Sequence, residues 1–71
     1  MKLVIGKTYV LSGWIFSSVA LATNGGKFVY YGHDGDGSDP EHEFRGIEDG
    51  RQQWCYSSII GDDITIVEYT G

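Results

Sequence analysis

Asp49-Gly50 lies between two runs of strand character, residues 41–47 and 52–56. An Asp-Gly pair in that setting is the strongest short-range signal for a β-hairpin, because both residues accept the backbone angles of a tight antiparallel turn. It commits the second half of the chain to antiparallel sheet. Alternation then sorts the side chains, since successive strand residues point to opposite faces. His42, Phe44 and Gly46 fall on one face of the first run, and Glu43, Arg45 and Ile47 on the other. In the second run Trp54 and Tyr56 share a face, and Cys55 alternates with them as a buried small hydrophobe does.

The same logic extends outward from the hairpin. Residues 27–33 form a strand by aromatic and β-branched content. Residues 63–69 alternate cleanly, with Ile64, Ile66 and Glu68 opposite Thr65, Val67 and Tyr69. Residues 57–61 are short enough for a single 3₁₀ turn. Near the start, Gly6-Lys7 bends the chain before a main strand at residues 8–11. Ser12 is expected as the N-cap of a short helix over residues 14–22, where Ile15, Val19 and Ala22 recur at helical spacing. Asn24-Gly25-Gly26 supplies its left-handed C-terminal cap. The rival reading of residues 14–22 is a strand.

A chain of 71 residues is one domain, 1–71, with a thin core. Two Trp, five Tyr and three Phe are expected to supply much of that core, the stripe Trp14, Tyr30, Tyr31, Trp54 and Tyr56 included. Five short strands leave two open edges and one wet face unless the sheet curls. The expected fold is therefore mainly β (α+β by content): a small SH3-like, partly open barrel of about five strands. One short helix is inserted after the first strand, and the first and last strands lie side by side. Cys55 is the only cysteine, so no intrachain disulfide staples the fold, and a reducing cytoplasm is the expected setting. The apolar start is broken at once by Gly6-Lys7-Thr8, unlike a signal peptide. No stretch approaches the roughly 20 apolar residues of a membrane span.

Two terminal phrases, Gly6-Lys7-Thr8-Tyr9-Val10-Leu11-Ser12 and Ile64-Thr65-Ile66-Val67-Glu68, resemble the small uncharacterised accessory proteins of tailed bacteriophages, the T-even type in particular. The resemblance covers about a dozen residues at the two ends. It implies a phage accessory protein acting on a host component in the host cytoplasm, a host-takeover inhibitor being one form, and it carries over no catalytic residue.

Chemistry-bearing residues concentrate in residues 33–44, His-Asp-Gly-Asp-Gly-Ser-Asp-Pro-Glu-His-Glu-Phe. Asp34, Asp36 and Ser38 have the spacing of a calcium loop, but such a loop also needs glycine at its sixth position and glutamate at its twelfth. Counting from Asp34 those positions hold Asp39 and Arg45; counting from Asp36 they hold Glu41 and Ile47. His33 and His42 face each other across a hairpin and with Asp34 or Asp39 make two or three ligands, short of a closed zinc site. Gly35-x-Gly37 is no phosphate cradle, because its acids repel phosphate and no helix follows. No Ser–His–Asp or Cys–His order emerges, and an exposed Gly-rich loop neither buries nor fixes a carboxyl. The expectation is a non-enzymatic protein with no cofactor.

The charge balance bears on the partner. Ten acids against five bases give a net charge of −5, which opposes direct binding to nucleic acid. Asp34, Asp36, Asp39, Glu41, Glu43, Glu48 and Asp49 fall on or beside two successive hairpin connections. Placed at one end of a barrel, they form a negative patch that steers a basic protein partner. A nucleic-acid-handling host protein, engaged by mimicry of nucleic acid, is the expected partner. A metal or small-molecule site at the His33–His42 loop is the alternative, and homodimerisation through an aromatic face or open strand edge is a third.

Overall fold

The computed structural model describes residues 2–35 and 37–70. In chain order the elements are β1 (Thr8–Gly13), α1 (Ser18–Asn24), β2 (Lys27–Asp34), β3 (Glu41–Gly46), β4 (Gln52–Tyr56), a 3₁₀ turn (Ser57–Ile59) and β5 (Ile64–Glu68). They form one antiparallel sheet in the order β4-β3-β2-β1-β5. The sheet does not close, and β4 and β5 are its edges. This is the small, partly open SH3-like barrel that the alternation implies, with β1 and β5 side by side.

The inward face collects Tyr9, Leu11, Phe28, Tyr30, Phe44, Cys55, Ile64 and Ile66, and Phe16 and Ala20 seal it from the helical connection. Three rings form its centre. Tyr9 meets Tyr30 and Phe44 edge-on at 6.4 and 6.3 Å between centroids, and Tyr30 lies 5.2 Å from Phe44. Edge-to-face contacts of this kind add about 0.5–1.5 kcal/mol beyond area burial.

The aromatic stripe divides between the two faces, which corrects the expectation that all of it is core. Tyr30 is buried, whereas Trp14, Tyr31, Trp54 and Tyr56 are 77, 50, 37 and 50% exposed. The pleat is the cause. Cys55 points inward, so Trp54 and Tyr56 on either side of it must point out, and Tyr31 follows Tyr30 in the same way.

The helix also starts later than the sequence suggests. Ser12 is not a cap but a strand residue opposite Thr65, because β1 runs on to pair Gly13 with Ile64. Gly13 takes φ +140°, and a Cβ there would press on the Ile64 backbone, so only glycine lets β1 finish its ladder. Ser17 is the N-cap, its hydroxyl accepting the Ala20 N–H at 3.3 Å. Gly25 closes the helix at φ +59°, and the N–H groups of Gly25 and Gly26 satisfy Ala22 and Leu21 carbonyls.

Candidate functional site

A one-residue irregularity in β2 builds the first polar centre. Tyr30 pairs with Phe44, but Gly32, not Tyr31, pairs with Glu43. The extra residue resets the alternation, and His33 comes opposite His42 with the rings 5.8 Å apart. His42 Nδ1 shares a 2.7 Å hydrogen bond with the Tyr30 hydroxyl, and its Nε2 a 2.6 Å bond with the Ser57 hydroxyl. Burial, reinforced by the neighbouring His33 ring and opposed by Asp39, lowers the His42 pKa below the ordinary histidine value. The ring is therefore neutral at pH 7, donating from one nitrogen and accepting at the other. Burial likewise raises the Tyr30 phenol.

His42 and Ser57 open onto a cleft of about 380 Å³, also lined by Leu3, Ile60, Gly61, Thr65 and Ile66. None of these lining side chains carries a formal charge at neutral pH. Both His42 nitrogens are already bonded, so a cation there must displace Tyr30 or Ser57. Among the described residues no three His, Cys, Asp or Glu side chains converge as a metal site would require. Cys55 is buried and its thiol is pushed up to about 11, so it has no thiolate character at neutral pH.

The predicted acidic residues do not form one patch. Asp34 ends β2, Glu41 begins β3, and the two are register partners. Asp39 stands in the same connection, where its carboxylate accepts the Ser58 N–H at 2.7 Å and the Ser58 hydroxyl at 2.9 Å. That places Asp39 as a brace for the 3₁₀ turn. Asp36 lies outside the described residues. Glu43 lies on the outer face, held by Arg45 at 2.8 Å and the Gln52 amide at 2.8 Å; the Arg45 bond keeps its carboxyl below the usual range. Glu48 and Asp49 sit beyond the other end of β3, about 17 Å away at the rise of an extended strand.

That far end is organised by Asn24, the one buried polar residue of the described chain, 2% exposed. Its carboxamide nitrogen donates to the Ala20 carbonyl at 2.8 Å and to Asp49 Oδ1 at 3.0 Å. Its oxygen accepts the Glu48 and Asp49 N–H groups at 2.8 and 3.3 Å. The Arg51 N–H also donates to Asp49, and these bonds hold the Asp49 carboxyl below its ordinary range. Among the described residues the ion pairs are Lys7–Glu68, Glu43–Arg45 and Asp49–Arg51, and none reaches Asp34 or Glu41.

Sequence reasoning missed Tyr30 and Ser57 as partners of His42, and Asn24 as a clamp. The first two depend on the β2 irregularity and on the return of the 3₁₀ turn beneath β3, neither of which leaves a local pattern. Asn24 carried a signal, but the Asn-Gly-Gly run accounted for it as part of a cap. Comparison with protein-family models, curated proteins and solved structures finds no match.

Proposed function

We propose that this chain is a non-enzymatic binding module whose recognition surface is the end of the sheet where β2 stops, β3 starts and β4 finishes. The observation that carries this reading is a single register row, Asp34–Glu41–Tyr56. It sets Glu41 directly beside an exposed aromatic ring and Asp34 one strand further on, and among the described residues neither acid has a cationic partner. Trp54, one pleat along on the same face, enlarges the apolar part. Acids next to exposed aromatics suit a basic protein, since the charge steers encounter and the rings supply desolvated contact. Asp36, a candidate from the sequence, lies outside the described residues; Glu43 and Asp49 are held by neighbours of this chain, and Glu48 stands at the other end of β3 with its N–H on Asn24. The resemblance of the two terminal phrases to phage accessory proteins supports a host component as the partner, and the placement of negative charge supports one that is basic and handles nucleic acid.

The test compares capture of basic bacterial proteins by the chain and by an Asp34→Asn/Asp36→Asn/Glu41→Gln variant, at low and high salt. The expected result is retention by the parent at low salt and loss in the variant. An unchanged captured set sinks the reading.

A second reading is favoured by the cleft beside His42, whose size falls within the range of small-molecule sites. Its apolar walls and hydroxyl groups suit an uncharged ligand bearing one or two hydrogen-bonding atoms. Shifts of the His42 ring resonances confined to one member of an uncharged fragment panel would support it; an inert ring across the panel would remove it.

A further inference from the structure

The two edges of the sheet are not equivalent. At β5, the Gly61 N–H donates to the Ile64 carbonyl at 2.8 Å and Ile60 bridges Ile64, so the start of that edge is covered by its own chain. Edge β4 is different. Gln52–Tyr56 carries no proline, no formal charge and no bulge, the devices by which exposed edges are normally blunted. Parity of the ladder shows which backbone groups face outward. Gly46 bonds to Arg51 and Ser57 to Pro40, so the hydrogen-bonded pairs with β3 fall at Arg51, Gln53, Cys55 and Ser57. The N–H and C=O groups of Gln52, Trp54 and Tyr56 therefore point away from the sheet. The Gln53 side chain covers the Gln52 carbonyl at 2.6 Å, and the Tyr56 carbonyl is taken by the 3₁₀ turn it caps, which leaves the Trp54 N–H and C=O and the Tyr56 N–H as the usable edge.

From this edge and the charge behind it we infer that the chain binds an extended basic segment of its partner by strand addition along β4. The inference deepens the proposed function and rests on it. An added strand would lie about 4.8 Å outside β4, with alternate side chains on the face that carries Trp54 and Tyr56. A lysine or arginine there lies across the Tyr56 ring with its long stem directed at Glu41 in the next strand, and the Asp34 charge stands one strand further behind. The chain already uses the same chemistry internally: the Arg45 guanidinium sits over the Tyr31 ring at 4.3 Å while bonded to Glu43. An acidic segment meets repulsion at this row, and a second copy of the chain brings a net charge of −5 against another −5.

The probes are two peptides, acetyl-Lys-Thr-Lys-Thr-Lys-Thr-amide and its glutamate counterpart, titrated into the labelled chain while amide exchange at Trp54 and Tyr56 is followed. Tyr56→Pro removes one outward N–H without touching the β3 ladder, and the native φ of −83° at Tyr56 suits proline. Tyr56→Thr removes the ring but keeps the N–H; thermal melting confirms that each variant folds. The expected result is saturable binding of the lysine peptide, slower exchange at both amides, abolition by Tyr56→Pro and partial retention by Tyr56→Thr. Asp34→Asn/Glu41→Gln should weaken binding about three- to tenfold, the effect of losing two exposed charge contacts. Binding that survives Tyr56→Pro overturns strand addition while leaving the acidic surface standing. Equal binding of the glutamate peptide overturns both. No saturation by either peptide overturns strand addition, and the protein-capture comparison then judges the acidic surface alone. Protection of the two amides without peptide, rising with protein concentration, assigns the edge to a second copy and overturns the inference.

Discussion

Replacing Asn24 with alanine removes four hydrogen bonds that join the end of α1 to the turn between β3 and β4. A net hydrogen bond contributes about 0.5–1.5 kcal/mol. Glu48 and Asp49 are exposed, so their freed N–H groups regain water and count at the low end. The Ala20 carbonyl, at a fully buried residue, counts higher. The sum is about 2–4 kcal/mol, against a total stability of roughly 4–10 kcal/mol for a chain of this size. The melting temperature should fall by about 10–25 °C. Gly46 supplies an independent check. A Cβ at position 46 would overlap the Asn24 carboxamide, so Gly46→Ala must push the clamp aside, at a cost of about 1–3 kcal/mol. The position needs space, not a special backbone angle. Alanine at 24 provides that space, so Gly46→Ala should cost almost nothing in an Asn24→Ala background. The double-mutant cycle should show a coupling of at least about 1 kcal/mol, measured as urea midpoints by tryptophan fluorescence and circular dichroism. Additive single losses, or an Asn24→Ala loss below about 1 kcal/mol, would refute the clamp.

Other outcomes follow from the same contacts. His42 has a lowered pKa in the folded chain and an ordinary one when unfolded, so the unfolded state binds more protons in acid. Urea midpoints should therefore fall as pH drops through about 6.5 and level off below the folded value, and His42→Gln should remove that step; an unchanged step would place its origin elsewhere. Below it a second decline is expected as Glu43 and Asp49, both lowered in the fold, take up protons; it should be smaller in Arg45→Met, which leaves Glu43 without its main partner. The Cys55 thiol, buried and pushed up to about 11, should ignore a thiol reagent at pH 8 until denaturant is added. Immediate labelling of the folded chain would contradict its burial. Zinc should not raise the melting temperature, because Tyr30 and Ser57 already hold both His42 nitrogens; a rise of several degrees would show that the cation displaces one of them.

The strands could be read from the sequence because each carries its own evidence. Ile64 and Ile66 alternate with exposed partners, and Asp49-Gly50 marks its turn without help from distant residues. Information that depends on a partner far along the chain could not be read in this way. The N-cap of α1 was misplaced by five residues, Ser12 for Ser17, because the extension of β1 is decided by Ile64, some fifty positions later. The inward or outward sense of Trp54 and Tyr56 was set by Cys55, which wins the core side although it is much smaller than either ring. His33 and His42 were expected to face each other and do, but the Tyr30 and Ser57 bonds that occupy His42 come from tertiary return.

The division of the acidic residues has a simpler origin, and it was available from strand order alone. In an antiparallel meander the chain reverses at each turn, so consecutive connections lie at opposite ends of the shared strand. Residues 37–40 and 47–51 flank β3 and cannot meet while β3 stays extended. Acids close in sequence are thereby sorted by the connection they occupy, and acids far apart can be joined by register. Asp34 and Glu41, seven residues apart, become neighbours, and Tyr56, fifteen further on, joins their row. Glu48, only seven residues from Glu41, is carried away from it to the end of the sheet where its backbone N–H meets Asn24. On the proposed reading the unit of recognition is therefore a row across strands, so changing Glu41 should alter binding of a basic segment and changing Glu48 should not.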